Sequence, residues 1–319
     1  MQPRHYYMLT FSGLLTLSVG SLFLGAQALT LSGLLNDPQK LQLLLISRLP
    51  RTLATLLTGA SMAVAGVIMQ LLVRNRFVEP GTTGTNEAAM LGLLAVTLLA
   101  PDWPIVLQMT IAALSALAGT LGFLHLSRRL PPQQPLLIPL VGLIYAGVLM
   151  SIATFFAYQF DLIQFIGVWM SGEFSGVLAG RYELLWLAGA LSVLVYFAAD
   201  QFTIAGLGQG LAISLGLRYG QIVALGVATV SMVSALVIVT VGALPFVGLV
   251  VPNVVSRLMG DNLRQSLPVV AGIGGGLVLV CDMLGRVLRS PYEIPAGTIF
   301  GIVGAVVFLS LLLGRRSHA

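Results

Sequence analysis

Residues 219–241 read YGQIVALGVATVSMVSALVIVTV, without one Asp, Glu, Lys or Arg. Wound as an α-helix, such a run is roughly 35 Å long at about 1.5 Å per residue. That is enough to cross a hydrocarbon layer of about 30 Å. The same pattern continues outward in both directions. Apolar runs of similar length lie near 6–28, 51–73, 86–100, 105–127, 135–158, 182–199, 244–259, 267–285 and 295–314, divided by short polar breaks. Together they predict an all-α, polytopic membrane protein with about ten transmembrane helices. Pro245 is the main break between 219–241 and the run that follows it. The stretch 162–180 is less apolar, carries Glu173, and reads as a short or re-entrant segment. No short repeat period is visible, so residues 1–319 form a single transmembrane domain.

Composition points the same way. Hydrophobic residues make up 57% of the 319-residue chain and charged residues 8%, against about 25% charged in a soluble domain. So few charges cannot cover a water-exposed surface, and the abundant glycine suits helices packed closely in lipid. The net charge of +5 comes almost wholly from arginine, with Lys40 the only lysine. These arginines are scattered at the ends of apolar runs, with no basic stripe, so nucleic acid is not an expected partner. Cys281 stands alone, and His5, His125 and His318 do not pair at ligand spacing. No metal site or cofactor is expected.

Arginine placement sets an orientation. With the N-terminus inside, the cytoplasmic side receives Arg4, Arg74, Arg76, Arg128, Arg129, Arg218, Arg257, Arg264, Arg315 and Arg316. The outside receives Lys40, Arg48, Arg51, Arg181, Arg286 and Arg289. An even helix count puts both termini in the cytoplasm. Residues 1–28 have a basic start and an Ala26-Gln27-Ala28 end resembling a signal-peptidase site. The apolar run is nevertheless a full span, and it reads as an uncleaved first helix.

The arginines left outside call for a role. Arg48-Leu49-Pro50-Arg51 opens the second helix, and Arg286 and Arg289 precede Tyr292-Glu293-Ile294-Pro295. Such pairs are either interfacial anchors or a docking surface for an acidic partner. Two pairs on one face favour docking. Asp282 and Arg286 stand at helix i,i+4 spacing and read as a structural pair. Glu87 opens the third helix, where its charge would suit the helix dipole near the headgroups.

The stretch from Asp200 to Arg218 is the longest cytoplasmic connection. It contains Gly206-Leu207-Gly208-Gln209-Gly210-Leu211-Ala212-Ile213-Ser214-Leu215-Gly216. It reads either as an ordinary loop or as two short helices with a glycine corner, pressed against another protein. It is no phosphate cradle, because no lysine follows the glycines. The run Gly272-Ile273-Gly274-Gly275-Gly276 lies within a helix. Without a P-loop, the chain is not an ATPase by that route, and any ATP-driven step needs another subunit.

Taken in order along nearly the whole chain, several motifs resemble the permeases for iron-siderophores, haem and vitamin B12. They are Arg48-Leu-Pro-Arg51 with Gly59-Ala60, Gly66, Gln70 and Arg74-Asn75; Leu215-Gly216; Phe246-Val-Gly-Leu-Val-Val-Pro252; Leu267-Pro268; and Glu293-Ile-Pro295-Ala-Gly297. The resemblance implies a type II ABC importer permease that pairs with a second permease subunit, identical or paralogous. It also implies two cytoplasmic ATPase subunits and a periplasmic or lipid-anchored siderophore-binding protein, in a bacterial inner membrane. It assigns Arg48 and Arg286 to docking of the binding protein. Gly206, Gly208, Ala212, Leu215 and Gly216 fall to the loop that couples to the ATPase. Two positions depart from the pattern: Arg76-Phe77-Val78 follows Asn75 in place of Pro-Leu, and Asn253 stands where histidine is common. The stretches 75–85 and 291–295 resemble the branch serving catecholate and mixed-type siderophores.

Competing readings want other signatures. Haem or vitamin B12 would be moved by the same machinery. A secondary carrier would want titratable residues in series or inverted repeats. An intramembrane enzyme would need a catalytic pair within the membrane. The sequence offers neither.

Overall fold

Pro50 shapes the central helix. It has no N–H to give to the carbonyl of Ile46, one turn back. The helix relaxes there into a π turn at Leu44–Arg48, and the backbone N–H of Ala179 donates to the Ile46 carbonyl at 2.9 Å. The helix then runs on without interruption, so α2 spans Pro38–Val73. It stops at Arg74, which takes a left-handed conformation (φ 52°). Asn75 N–H donates to Gln70 O at 2.9 Å and Arg74 N–H to Leu71 O at 3.2 Å, a pairing that ends helices cleanly.

The computed structural model describes residues 3–25, 37–130, 136–290 and 292–313. Around α2 lie α1 (Pro3–Phe23), α3 (Thr85–Leu99), α4 (Ile105–Ser127), α5 (Leu137–Gln159) and the short α6 (Ile163–Trp169). There follow α7 (Leu185–Phe197), α8 (Ala199–Gly206), α9 (Gln209–Ser214), α10 (Tyr219–Val241), α11 (Val247–Met259), α12 (Leu263–Leu288) and α13 (Ala296–Leu313). The Ala26-Gln27-Ala28 stretch and Arg315, Arg316 and His318 lie outside the described residues.

All ten expected ranges contain a helix, but the helices are not equivalent. Among the described residues, α1, α2, α4, α5, α10 and α12 are long and apolar enough to cross a membrane. Helices α7 and α8 pass the same test only together, and they bend by 69° at their junction. Helices α3, α11 and α13 are shorter. The count of about ten spans is therefore loose, and the reason lies in where two of the short helices begin. Helix α3 follows Gly84 (φ 75°) and starts among the buried residues Thr83, Thr85 and Asn86. Helix α11 follows Phe246, itself at φ 66°, and its second residue, Gly248, abuts Gly66 in the body of α2. Both start inside the bundle. The 162–180 stretch holds only the short α6, after which Glu173 N–H donates to Val241 O at 2.8 Å, and Gly297 N–H to Gly172 O at 3.0 Å.

Lipid is as apolar as leucine, so helices associate here by close packing rather than by escape from water. The glycines of the motifs supply that closeness. A methyl at Gly59 would strike the Gly274 carbonyl, and one at Gly274 would strike Gly59 in turn, so α2 and α12 cross backbone to backbone. Gly66 meets Gly248 of α11 in the same way. Pro252 inside α11 frees the Gly248 carbonyl, and Gln70 Nε2 donates to it at 3.2 Å. Gly59, Gly66, Gln70 and Pro252 thus act together to seat α11 and α12 on α2. The run Gly272–Gly276 lies within α12, facing Thr10 and Leu14 of α1 and Gly59 of α2.

Candidate functional site

The bundle has two contrasting ends. At one, α2 begins, α12 finishes and α1 closes. Arg51 Nη2 pairs with Asp282 at 2.7 Å and with Glu293 at 2.8 Å. Arg286 also pairs with Asp282, so the expected i,i+4 pair forms. Arg286 Nη1 donates to the carbonyls of Ser21 and Leu24 at 3.1 Å each, and Nη2 donates to Ser21 Oγ at 2.8 Å. Arg48 Nη1 donates to the same Leu24 carbonyl. Two guanidiniums thereby satisfy carbonyls at the end of α1 that have no intrahelical partner.

The two arginines that sequence assigns to docking therefore meet, but they turn inward: Arg48 is 7% exposed and Arg286 6%. Arg289 is exposed at this end, with its guanidinium 5.8 Å from the Tyr292 ring centre. The carboxylate of Asp282 serves two arginines, and only one of them was readable. Arg51 lies 231 positions away, with no local spacing to betray it.

At the other end, the 200–218 connection folds as two short helices around a glycine corner. Gly208 sits at φ 109°, and a methyl there would come within 2.9 Å of Arg74 Nη1. A methyl at Gly206 would come within 2.7 Å of Leu71. Both glycines let the connection rest on the last turn of α2. Ala212 is fully buried and points into the bundle. Of the five residues predicted for this site, Leu215 and Gly216 face outward, with Gly216 at φ 81° and open space around it. Sequence reasoning passed over Leu207, Leu211 and Ile213, which are all exposed beside Leu215. Part of the signal was available: Leu211 and Leu215, four residues apart, share a face of α9, whereas Leu207 precedes the glycine corner. These leucines lie close in sequence to the exposed polar residues Gln209, Arg218 and Gln221. Exposed apolar patches rimmed by polar residues are typical of protein or membrane contact sites.

Between the ends lie two buried carboxylates. Glu87 sits in the first turn of α3, as expected, but it is buried rather than near headgroups, because α3 starts inside the bundle. Glu79, which sequence reasoning missed, is also buried. It shares a capping box with Thr82 and accepts the Phe246 N–H at 2.8 Å. It thereby ties the 74–84 segment to the start of α11. No group of three or more His, Cys, Asp or Glu able to hold a metal occurs among the described residues.

A helical bundle of apolar spans, with a paired charge cluster at one end and exposed leucines at the other, is a multi-pass membrane protein. The sequence model of the FecCD transport family matches residues 8–314, and the chain belongs to that family. It is 43% identical to the petrobactin import system permease protein YclN of Bacillus subtilis, over 100% of both chains. It is 42% identical to the ferric-anguibactin transport system permease protein FatD of Vibrio anguillarum, over 93% of this chain and 95% of that one. The vitamin B12 import system permease protein BtuC of Klebsiella pneumoniae is 36% identical, over 85% and 82%. Among solved structures, an inward-facing transporter of metal-chelate type matches with a TM-score of 0.83 at 23% identity, covering 98% of this chain and all of that one. The fold is that of an ABC transporter permease.

Proposed function

We propose that this chain is the transmembrane permease of an ATP-driven importer that takes up ferric siderophore. The observation that carries the reading is the end-to-end match, at 43% identity, to a permease named for petrobactin import. Permeases named for vitamin B12 match at lower identity over less of the chain, which favours a siderophore over vitamin B12. The chelator holds the metal, so the path needs width rather than ligands.

The arrangement supports a division of labour. The platform built on α8 and α9 faces the cytoplasm and receives an ATPase subunit on Leu207, Leu211 and Leu215. Gly206, Gly208, Ala212 and Gly216 set its shape. The arginine end faces outward and receives the siderophore-binding protein. Arg48 and Arg286 contribute there by exchanging the Leu24 carbonyl for carboxylates of the partner, a stronger charge-assisted bond. A second permease subunit completes the path, both termini lie in the cytoplasm, and the assembly sits in a bacterial inner membrane.

Iron-55 uptake by cells lacking this chain tests the cargo. The expected result is loss of uptake from ferric petrobactin, restored by the intact gene, with uptake of vitamin B12 and haem unchanged. Unchanged uptake from ferric petrobactin, or loss of vitamin B12 uptake in its place, would overturn the assignment.

A further inference from the structure

A groove of about 570 Å³ runs between α2, α7 and α12 on the flank of the bundle. Its walls are apolar and small: Ala60 and Val64 from α2, Gly189 and Val193 from α7, Leu267 and Ala271 from α12. Tyr196 closes it toward the platform end and Trp186, half-exposed, toward the other. From Trp186 to Tyr196, α7 rises about 15 Å. That is half of a hydrocarbon core of about 30 Å, the depth of a single leaflet.

A cation stands at the platform-side mouth. Arg264, in the first turn of α12, lays its guanidinium 4.8 Å from the centre of the Tyr196 ring. It donates to the Tyr196 carbonyl at 3.4 Å, at the long limit of a hydrogen bond. Its carboxylate partner, Asp200, is 3.9 Å away and 68% exposed. A guanidinium has five donors in a planar fork that matches a phosphate. These two contacts leave most of them available.

We infer that the groove holds one glycerophospholipid of the platform-side leaflet, with an acyl chain between α2, α7 and α12 and its phosphate on Arg264. The match of groove depth to one leaflet, with the cation at headgroup level, selects this occupant over a helix from a second copy. The inference does not depend on the cargo or on the orientation of the chain. It does bear on the platform. Tyr196 lies two residues before Ala198, where the chain bends by 69° into α8, so a seated lipid props the bend that carries α8 and α9.

Native mass spectrometry of the delipidated full-length chain, titrated with palmitoyl-oleoyl phosphatidylglycerol, tests the site. One lipid should stay bound at collision energies that strip the rest. Filling the groove by Gly189→Leu should abolish this retention, and Ala271→Leu should do the same from the opposite wall, so the reading does not rest on one variant folding. Arg264→Gln should weaken binding about tenfold, the loss of a charge-assisted bond. Arg289→Gln, at the far end, should leave it unchanged. Retention equal to wild type in both groove-filling variants would overturn the proposal. So would a second copy of the chain in place of the lipid.

Discussion

The two ends of this bundle break the rule for a membrane protein's surface in opposite ways. The arginine end carries charge but hides it: Arg48, Asp282 and Arg286 are each less than a tenth exposed. The platform end is polar at its margins but shows bare leucines, with Leu211 60% and Leu215 64% exposed. Burial of a charge is tolerable only when every charge finds a partner, and here α1, α2 and α12 supply them to one another. Exposure of apolar surface beside water is tolerable only when something covers it. Within this chain the first end has its charges paired, and the second leaves its leucines bare. On the proposed function both ends meet partners, but the arginine end also holds α1, α2 and α12 to one another, whereas the platform serves assembly alone.

That contrast can be broken most directly at Arg51. Arg51→Gln leaves Asp282 with one partner and Glu293 with none of its ion pairing to α2. The expected loss is about 3 kcal/mol, the low end for breaking a buried pair. It is read as a large fall in the thermal midpoint of the detergent-purified chain. A midpoint within error of wild type would show that the cluster is not a stability element.

The platform should behave in the opposite way. Leu211→Asp combined with Leu215→Asp should abolish co-purification of the ATPase subunit, while changing the chain's own stability by no more than about 0.5 kcal/mol, as for surface substitutions elsewhere. Equal damage to assembly and to stability would mean that the leucines pack within the chain. Gly216→Leu sharpens the comparison with a smaller effect. Its φ of 81° costs a non-glycine residue roughly 1 kcal/mol. The ATPase should still bind, but less siderophore should enter per ATP hydrolysed. An unchanged ratio would remove Gly216 from the coupling path.

Much of this was legible in the sequence, for reasons that are local. Helix α10 was visible because a charge-free run longer than a bilayer admits few other structures, and α2 and α12 because each holds a long apolar stretch with its charges toward the ends. The Asp282–Arg286 pair was visible because its members lie one helical turn apart. The glycine corner at Gly208 was visible because turns draw on few residue types. What stayed hidden depends on distance. Arg51 finds Asp282, and Gln70 finds the carbonyl freed by Pro252, across 231 and 178 positions respectively. Glu79 and Glu87 were misjudged or missed because the 74–84 segment folds back into the bundle, and hydropathy does not record depth for a segment that turns. That Ala212 is buried while its neighbours are exposed was not legible, because a six-residue helix has too few turns to show which face is buried.

On the proposed function this chain is a gate whose energy and cargo selection come from other chains. Reconstitution in proteoliposomes tests it most directly: the chain alone, then with its second permease, ATPase subunits and binding protein, scoring ATP hydrolysis and uptake of iron-55 as ferric petrobactin. Neither activity is expected from the chain alone and both from the full set, with uptake lost when the binding protein or ATP is withheld. ATP hydrolysis by the pure chain, or sustained uptake without the other subunits, would contradict it.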